Sequence, residues 1–195
     1  MQAYCQSVFS SLPVLETRRL RLRPLTMRDE RDMYRYASDP EVSRHVLWDA
    51  HESPRATRSV LRAALRQYRS GSPGSFAIER KSDRRMIGTI GFMWINCEHR
   101  STEVGYSLAR DCWNFGYATE ALAAVLDFGF DTLGLHRIEA QHETDNPASG
   151  RVMEKCGMTL EGTLRGRVFN KGRFSDVRLY AILREDPRPH GGLTL

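Results

Sequence analysis

Trp113-Asn114-Phe115-Gly116-Tyr117-Ala118-Thr119-Glu120-Ala121 joins a strand to a helix, and its small residues decide how the rest of the chain is read. Upstream, the stretch over residues 101–108 alternates apolar and polar side chains, the period of a half-buried strand. Downstream, Ala121, Leu122, Val125, Leu126 and Phe130 recur at helical spacing, so a helix is expected over residues 116–133 with Gly134 ending it. The first amides of such a helix lack intrahelical partners, and its dipole adds partial positive charge there. Because only Gly116 and Ala118 stand in the way, a phosphate can approach those amides, which makes the turn a candidate anion site. The same small residues also serve close packing of helix on strand, so the turn by itself leaves both readings open.

A second punctuated segment lies further on. In Asn146-Pro147-Ala148-Ser149-Gly150-Arg151-Val152-Met153-Glu154-Lys155-Cys156-Gly157, Asn146 suits an N-cap, Pro147 the first helical position and Gly157 the stop. Residues 136–142, between the two helices, read as a strand, and strand, helix, strand implies a parallel pair. Toward the N-terminus, Leu20 and Leu22 alternate with arginines in a strand over residues 19–23. Thr26 caps a helix reaching Ala37, and Ser53-Pro54 opens another reaching Arg69, with an irregular segment between them. Residues 75–79, 86–95 and 102–108 read as successive antiparallel strands. After Cys156 two further strands flank Asn170-Lys171-Gly172, whose glycine suits a hairpin turn.

Together these segments and their order resemble the GNAT superfamily of acyl-CoA-dependent N-acetyltransferases, and within it the ribosomal-protein N-terminal acetyltransferase (RimJ/RimL-like) branch. The likeness extends over residues 15–183 and includes Leu15-Glu16-Thr17-Arg18-Arg19-Leu20-Arg21-Leu22-Arg23-Pro24, Gly88-Thr89-Ile90-Gly91 and Glu103-Val104-Gly105-Tyr106. It implies an α/β (α+β) fold in one GNAT-like domain, residues 15–184, between tails at 1–14 and 185–195. The central sheet would be mixed, mostly antiparallel, splayed at a parallel strand pair and flanked by about four helices.

The resemblance also implies a reaction, transfer of an acetyl group from acetyl-CoA to a primary amine. Gly116, Tyr117, Ala118 and Thr119 would hold the co-substrate's pyrophosphate, flanked by Phe115 and Arg110. A backbone N–H near Leu108 or Ala109 would polarise the thioester carbonyl, an interaction typically worth about 3 kcal/mol. Asn146 would bond the pantetheine arm or the acceptor, Ser149 would protonate the leaving thiolate, and Glu103, on the strand bordering the acceptor channel, is the candidate base. Each has a plain alternative: an Asn-Pro start and a first-turn serine are ordinary helix chemistry, and Glu103 also reads as a solvated charge. Tyr106 and Tyr117 are expected as packing aromatics. The chain departs from the family at Asn114 and Phe115, where a glycine and a basic or amide residue are usual; Arg110 is the nearby cation expected to compensate. Some RimL-like enzymes place a carboxylate in the strand over residues 163–169, where this chain offers only Val168.

Without a dedicated base, the acceptor's own acidity matters. An α-amino group titrates at about 7.7–8.0 and a lysine at about 10.4, so only the former is appreciably neutral at pH 7. A missing base therefore favours an N-terminal or similarly acidic amine, and the resemblance implies that this is the N-terminal α-amino group of a (ribosomal) protein. Alternatives are a small amine (polyamine, amino acid or aminoglycoside) and a non-catalytic acyl-CoA- or RNA-associated module. Residues 38–53, with Trp48, and the hairpin at 169–174 are expected to choose the acceptor.

Composition agrees. A chain of 195 residues with 41% hydrophobic content can bury one full core. No apolar run approaches the about eighteen residues of a membrane span, and no basic segment leads into an apolar core before Ser11, so a cytoplasmic protein without membrane contact is expected. Cys5, Cys97, Cys112 and Cys156 form no C-x-x-C pair and the six histidines are dispersed, so reduced thiols and no metal are expected. The net charge of +5 is unevenly spread: residues 29–52 carry seven acidic residues and three arginines, residues 55–85 nine basic and two acidic ones. The acidic part, on the acceptor side in the family, favours cationic amines or basic protein tails. Arg55, Arg58, Arg62, Arg66 and Arg69 recur at helical spacing and read as a solvated face; direct nucleic-acid binding is not expected, and a homodimer is left open.

Overall fold

In the computed structural model, which describes residues 1–188, eight strands form one sheet. They are β1 (Leu15–Glu16), β2 (Leu20–Pro24), β3 (Ser75–Arg80), β4 (Arg85–Asn96), β5 (Ser101–Leu108), β6 (Arg137–Glu143), β7 (Thr159–Asn170) and β8 (Arg173–Leu183). Their order across the sheet is β1-β2-β3-β4-β5-β6-β8-β7, and β5 with β6 is the parallel pair. Among the described residues six helices flank the sheet: α1 (Gln2–Ser10), α2 (Glu30–Ala37), α3 (Pro40–Ser43), α4 (Pro54–Ser70), α5 (Tyr117–Asp127) and α6 (Pro147–Lys155). The mixed, mostly antiparallel sheet with one parallel pair is the one that the resemblance implies. No described helix is long and apolar enough to cross a membrane.

β4 is gripped on both sides. A Cβ at Gly88 would lie 2.2 Å from the Ser107 carbonyl oxygen, and one at Gly91 would lie 2.4 Å from Ser75 Cα. Only glycine allows that approach, so Gly88 sets how closely β4 holds β5 and Gly91 how closely it holds β3. Starts and stops follow side-chain chemistry. Thr26 and Asp29 form a capping box ahead of α2, Ser53 caps α4 by accepting from the Ala56 amide at 3.4 Å, and Gly71 closes α4 at φ +66°.

Two elements differ from expectation. Residues 2–10, expected as a tail, fold as α1, because Cys5 and Phe9 share one buried face, with Leu12 buried just past the helix end; Phe9 meets Phe92 edge to face at 6.0 Å. The helix expected to run unbroken over residues 116–133 is α-helical only through Asp127, and residues 128–132 form a wider π turn. Gly129 packs so tightly on β6 that a Cβ would meet Ile138 Cδ1 at 2.6 Å, and the wider turn lets Phe128 and Phe130 on either side both enter the core. Gly134 then ends the element at φ +68°. The C-terminal tail expected over residues 185–195 lies for the most part outside the described residues.

Candidate active site

β5 and β6 pair only at Ser101–Arg137, Thr102–Ile138 and Glu103–Glu139, and then part. The last bridge between them is a side-chain one, Gln141 Nε2 donating to Glu103 Oε1 at 2.9 Å. Beyond it α6 spans the gap: the Tyr106 hydroxyl lies 2.9 Å from Ser149 Oγ and donates to the Ser149 carbonyl at 3.0 Å. Burial holds the Tyr106 phenol above its ordinary range, against the lowering effect of Ser149, so it stays protonated at neutral pH. A cavity of about 450 Å³ opens here, lined by β5, by Gln141, His142 and Glu143 of β6, by Asn146 and Ser149, and across from them by Met33, Tyr36 and Trp48.

The amides on β5 follow from its register. Ala109 donates to the Ile87 carbonyl at 2.7 Å, and hydrogen-bonded pairs alternate along an antiparallel ladder. The Leu108 and Tyr106 amides therefore point away from β4, toward the gap. Of the two amides expected for the thioester carbonyl, Ala109's is occupied and Leu108's is left. Trp113 Nε1 donates to the Leu108 carbonyl at 2.8 Å and fixes that end of the strand.

The turn before α5 is built on left-handed backbone. Gly116 has φ +79° and Asn114 φ +65°. Asparagine tolerates this conformation better than other residues with a side chain, so Asn114 stands where the family's glycine would. Tyr117, Ala118 and Thr119 occupy the first turn of α5, where amides have no helical acceptor. Arg110, the cation expected beside the turn, is mostly exposed and has its Nε 3.6 Å from Asp39. Arg19 stands over the turn. Its Nη1 donates to the Phe115 carbonyl at 2.9 Å and its guanidinium lies 4.6 Å from the Tyr117 ring centre. Glu120, in the first turn of α5, holds Arg19 there by accepting from its Nε at 2.6 Å and its backbone amide at 2.7 Å, and takes the Thr17 hydroxyl at 2.6 Å. Burial alone would raise the Glu120 carboxyl; the bonds from Thr17 and Arg19 outweigh it and hold the group below its ordinary value. Arg19 lay in a stretch already singled out, yet its partner is a hundred residues away, so no local signal tied it to the turn.

At the other end of the cavity Glu103 faces inward, accepting from Gln141 and, at 3.4 Å, from Trp94 Nε1. Asn146 caps α6, its Oδ1 accepting from the Ser149 amide at 3.4 Å. A cluster absent from the sequence reading sits at the mouth: His45 Nδ1 is 3.2 Å from Glu143 Oε2 and 3.4 Å from Asp145 Oδ1. These donor atoms lie within 4.8 Å of one another, a spacing that suits a metal ion, but Arg173 already bridges the carboxylates, 2.9 Å from Asp145 and 3.5 Å from Glu143. The Arg173 guanidinium holds the Asp145 carboxyl below its ordinary range. Lys171 donates to the carbonyls of Val46 at 2.9 Å and Trp48 at 3.2 Å, tying the β7–β8 turn to the loop after α3.

Comparison with known proteins places this geometry. The model of the acetyltransferase (GNAT) domain matches residues 19–159. An uncharacterized N-acetyltransferase of Bacillus subtilis is 36% identical over 88% of this chain and 97% of its own length. The spermidine N(1)-acetyltransferase of Vibrio cholerae is 28% identical over 82% of this chain and 93% of its own. Mycobacterium smegmatis RimJ, solved in complex with CoA-disulfide, superposes with a TM-score of 0.80 at 26% identity, covering 89% of this chain and 88% of that one.

Proposed function

The chain belongs to the acetyltransferase (GNAT) domain family, and on that premise we propose that it moves an acetyl group from acetyl-CoA to the N-terminal α-amino group of a protein, with ribosomal proteins as the acceptor class. The observation that carries this reading over a small-amine acceptor is the pairing of the carboxylates around the cavity. Glu103 is bonded by Gln141 and Trp94, and Glu143 and Asp145 by Arg173 and His45. A polyamine needs unpaired anions for several charges, whereas an α-ammonium needs one partner and loses its proton before attack. The rim adds apolar ground for residues behind an N-terminus: Leu47, Phe169 and Phe174 are 71%, 61% and 73% exposed. The likeness to RimJ supports the same branch, and the spermidine acetyltransferase relative supports the rival reading.

In this reading the amides of residues 116–119 bind the pyrophosphate and Arg19 supplies the cation over it. Asn146 contacts the pantetheine arm beside the gap. The Leu108 amide stabilises the oxyanion formed when the amine attacks the thioester carbonyl. Ser149 gives its proton to the departing thiolate and is resupplied through the Tyr106 hydroxyl, already in place at 2.9 Å.

Calorimetric titration with acetyl-CoA, followed by thiol release with N-terminal peptides, spermidine and an aminoglycoside, tests this. Acetyl-CoA binding with peptide-dependent release is expected. Release with spermidine or the aminoglycoside alone would move the acceptor to small amines, and no acetyl-CoA binding would remove the reading.

A further inference from the structure

The cavity holds a titratable pair, His45 and Glu143, that no step above uses. His45 follows α3 and lines the cavity with Tyr106, Ser149 and Asn146. Its Nδ1 faces Glu143 Oε2 at 3.2 Å and Asp145 Oδ1 at 3.4 Å. An ionised carboxylate only accepts, so the neutral ring carries its proton on Nδ1 and its lone pair on Nε2. Among the described residues Nε2 has no hydrogen-bond partner. Glu143 is only 4% exposed, and Asn170 Nδ2 fixes its other oxygen at 2.8 Å, so the group that orients the imidazole is itself held.

We propose that His45 is the base that takes the proton from the acceptor ammonium, and that Glu143 is its positioning residue. The inference rests on the acetyltransferase reading above. His45 Nε2 accepts one proton, directly or through one water, and the freed amine nitrogen bonds to the thioester carbon. When the carbon–sulfur bond breaks, the sulfur keeps the electron pair and receives a proton from Ser149. The second nitrogen proton leaves as the amide forms and resupplies the Tyr106–Ser149 pair, and the His45 proton passes to solvent. An imidazole, ordinarily at about 6.5, is much closer to an α-amine at about 7.7–8.0 than to a lysine at about 10.4, which agrees with the acceptor class proposed.

The surroundings favour this assignment. Facing the ring are Glu143 of β6, Asp145 beyond it and Arg173 of β8, two carboxylates against one guanidinium. Lys171 is engaged by Asp49 and the loop carbonyls, and Arg44 by Glu41. Another cavity residue, His142, has both ring nitrogens against backbone: its Nδ1 bonds the Glu143 carbonyl at 2.7 Å, and a Cβ on Gly150 of α6 would meet its Nε2 at 2.7 Å. Burial, ahead of the nearby Arg178 and His45, holds His142 below the ordinary histidine value.

The test follows thiol release from acetyl-CoA against pH, with an alanine-starting tetrapeptide as acceptor. For the wild type, kcat/KM should rise with pH along one limb in acid and fall along a second as the acceptor ammonium loses its own proton. H45Q should lower kcat by about 10²-fold or more and abolish the acid limb, with acetyl-CoA affinity and Tm unchanged. E143Q should keep the acid limb and lower kcat with KM unchanged, and E143D should restore part of the loss, a rescue that a merely structural role would not give. An H45Q enzyme with wild-type rate and limb would overturn the base while leaving the acetyltransferase reading intact. Failure of the wild type with every acceptor would instead sink that reading. Nitrogen-15 NMR of the histidine side chains decides without any acceptor: the neutral His45 ring should carry its proton on Nδ1, and an Nε2–H tautomer would overturn the proposal.

Discussion

The two ends of the cavity are made from different materials. The end at α5 and α6 is mostly backbone: helix-start amides, the Leu108 amide in the β5–β6 gap, and a turn set by Gly116 and Asn114. The end at the β7–β8 hairpin and the loop after α3 is mostly side chains, with His45, Glu143, Asp145, Asn170 and Arg173 meeting from well-separated stretches of sequence. A backbone-built end depends on a few positions where the chain must adopt one conformation, and so tolerates change elsewhere. A side-chain-built end can be rewritten residue by residue. The first should therefore govern acetyl-CoA affinity and fold stability, and the second should govern which amine reacts.

The largest expected effect falls where the backbone end relies on one side chain. Glu120 is 11% exposed and joins Thr17 and Arg19 to the first turn of α5. Glu120→Ala removes the acceptor of the Arg19 amide and of the Thr17 hydroxyl and the ion pair of a guanidinium that is 35% exposed, and a loss of about 2–3 kcal/mol is expected in urea unfolding at pH 7. Because the folded carboxyl titrates below its ordinary 4.5, its contribution is complete above that pH and is lost as pH falls through the folded value. The gap between wild type and variant should thus be full at pH 7 and close in acid. A gap that stayed constant to pH 3 would show that packing, not the charged bonds, pins the turn.

Next in size is Gly116→Val. A side chain at φ +79° is strained, and its branches fill the space in front of the α5 amides, where only Arg19 Nη2 now lies within 4 Å of a Cβ position. Acetyl-CoA should bind about 30-fold more weakly in calorimetry, or about 2 kcal/mol, while the acceptor KM stays unchanged. Movement of both constants would blur the division between the two ends.

What the sequence made legible divides along the same line. Gly116, the Asn146-Pro147 start and the strand–helix–strand order each have a local physical signature, so the glycine turn before α5, α6 itself and the parallel pair were readable in advance. Arg19 over the turn and His45 against Glu143 have none, since each contact joins residues about a hundred positions apart. Tyr106 was readable as a half-buried aromatic, but its hydroxyl found Ser149 only because the strands part there. The pair Cys5 and Phe9 is spaced by one helical turn, but two such residues in a short N-terminal segment do not distinguish a helix from a tail. The π turn depends on how close Gly129 comes to Ile138, which no pattern within α5 encodes.

Ser149→Ala tests the point where the two ends meet. Removing the hydroxyl leaves Tyr106 bonded to the Ser149 carbonyl at 3.0 Å, so α6 should stay in place. A drop of about tenfold or more in kcat, equivalent to about 1.4 kcal/mol, with unchanged acetyl-CoA affinity, is expected from single-turnover kinetics. Equal losses in kcat and affinity would make Ser149 a cofactor contact rather than a proton donor.

The smallest effect is the most discriminating. Trp48 lines the cavity and lies 5.6 Å from the His51 ring, yet its loop is held by backbone, through Lys171 and the carbonyls of Val46 and Trp48. Trp48→Ala therefore removes cavity wall without releasing the loop. KM should rise only about 3- to 5-fold, or about 1 kcal/mol, and by an amount that varies with the first side chain of the peptide, because the missing ring is a surface the acceptor touches. Lys171→Met does the reverse: it leaves the wall intact and loosens the loop, so KM should rise for all acceptors alike. If the two variants gave the same acceptor profile, the loop would act as a unit and the side chains at this end would not choose the amine one by one.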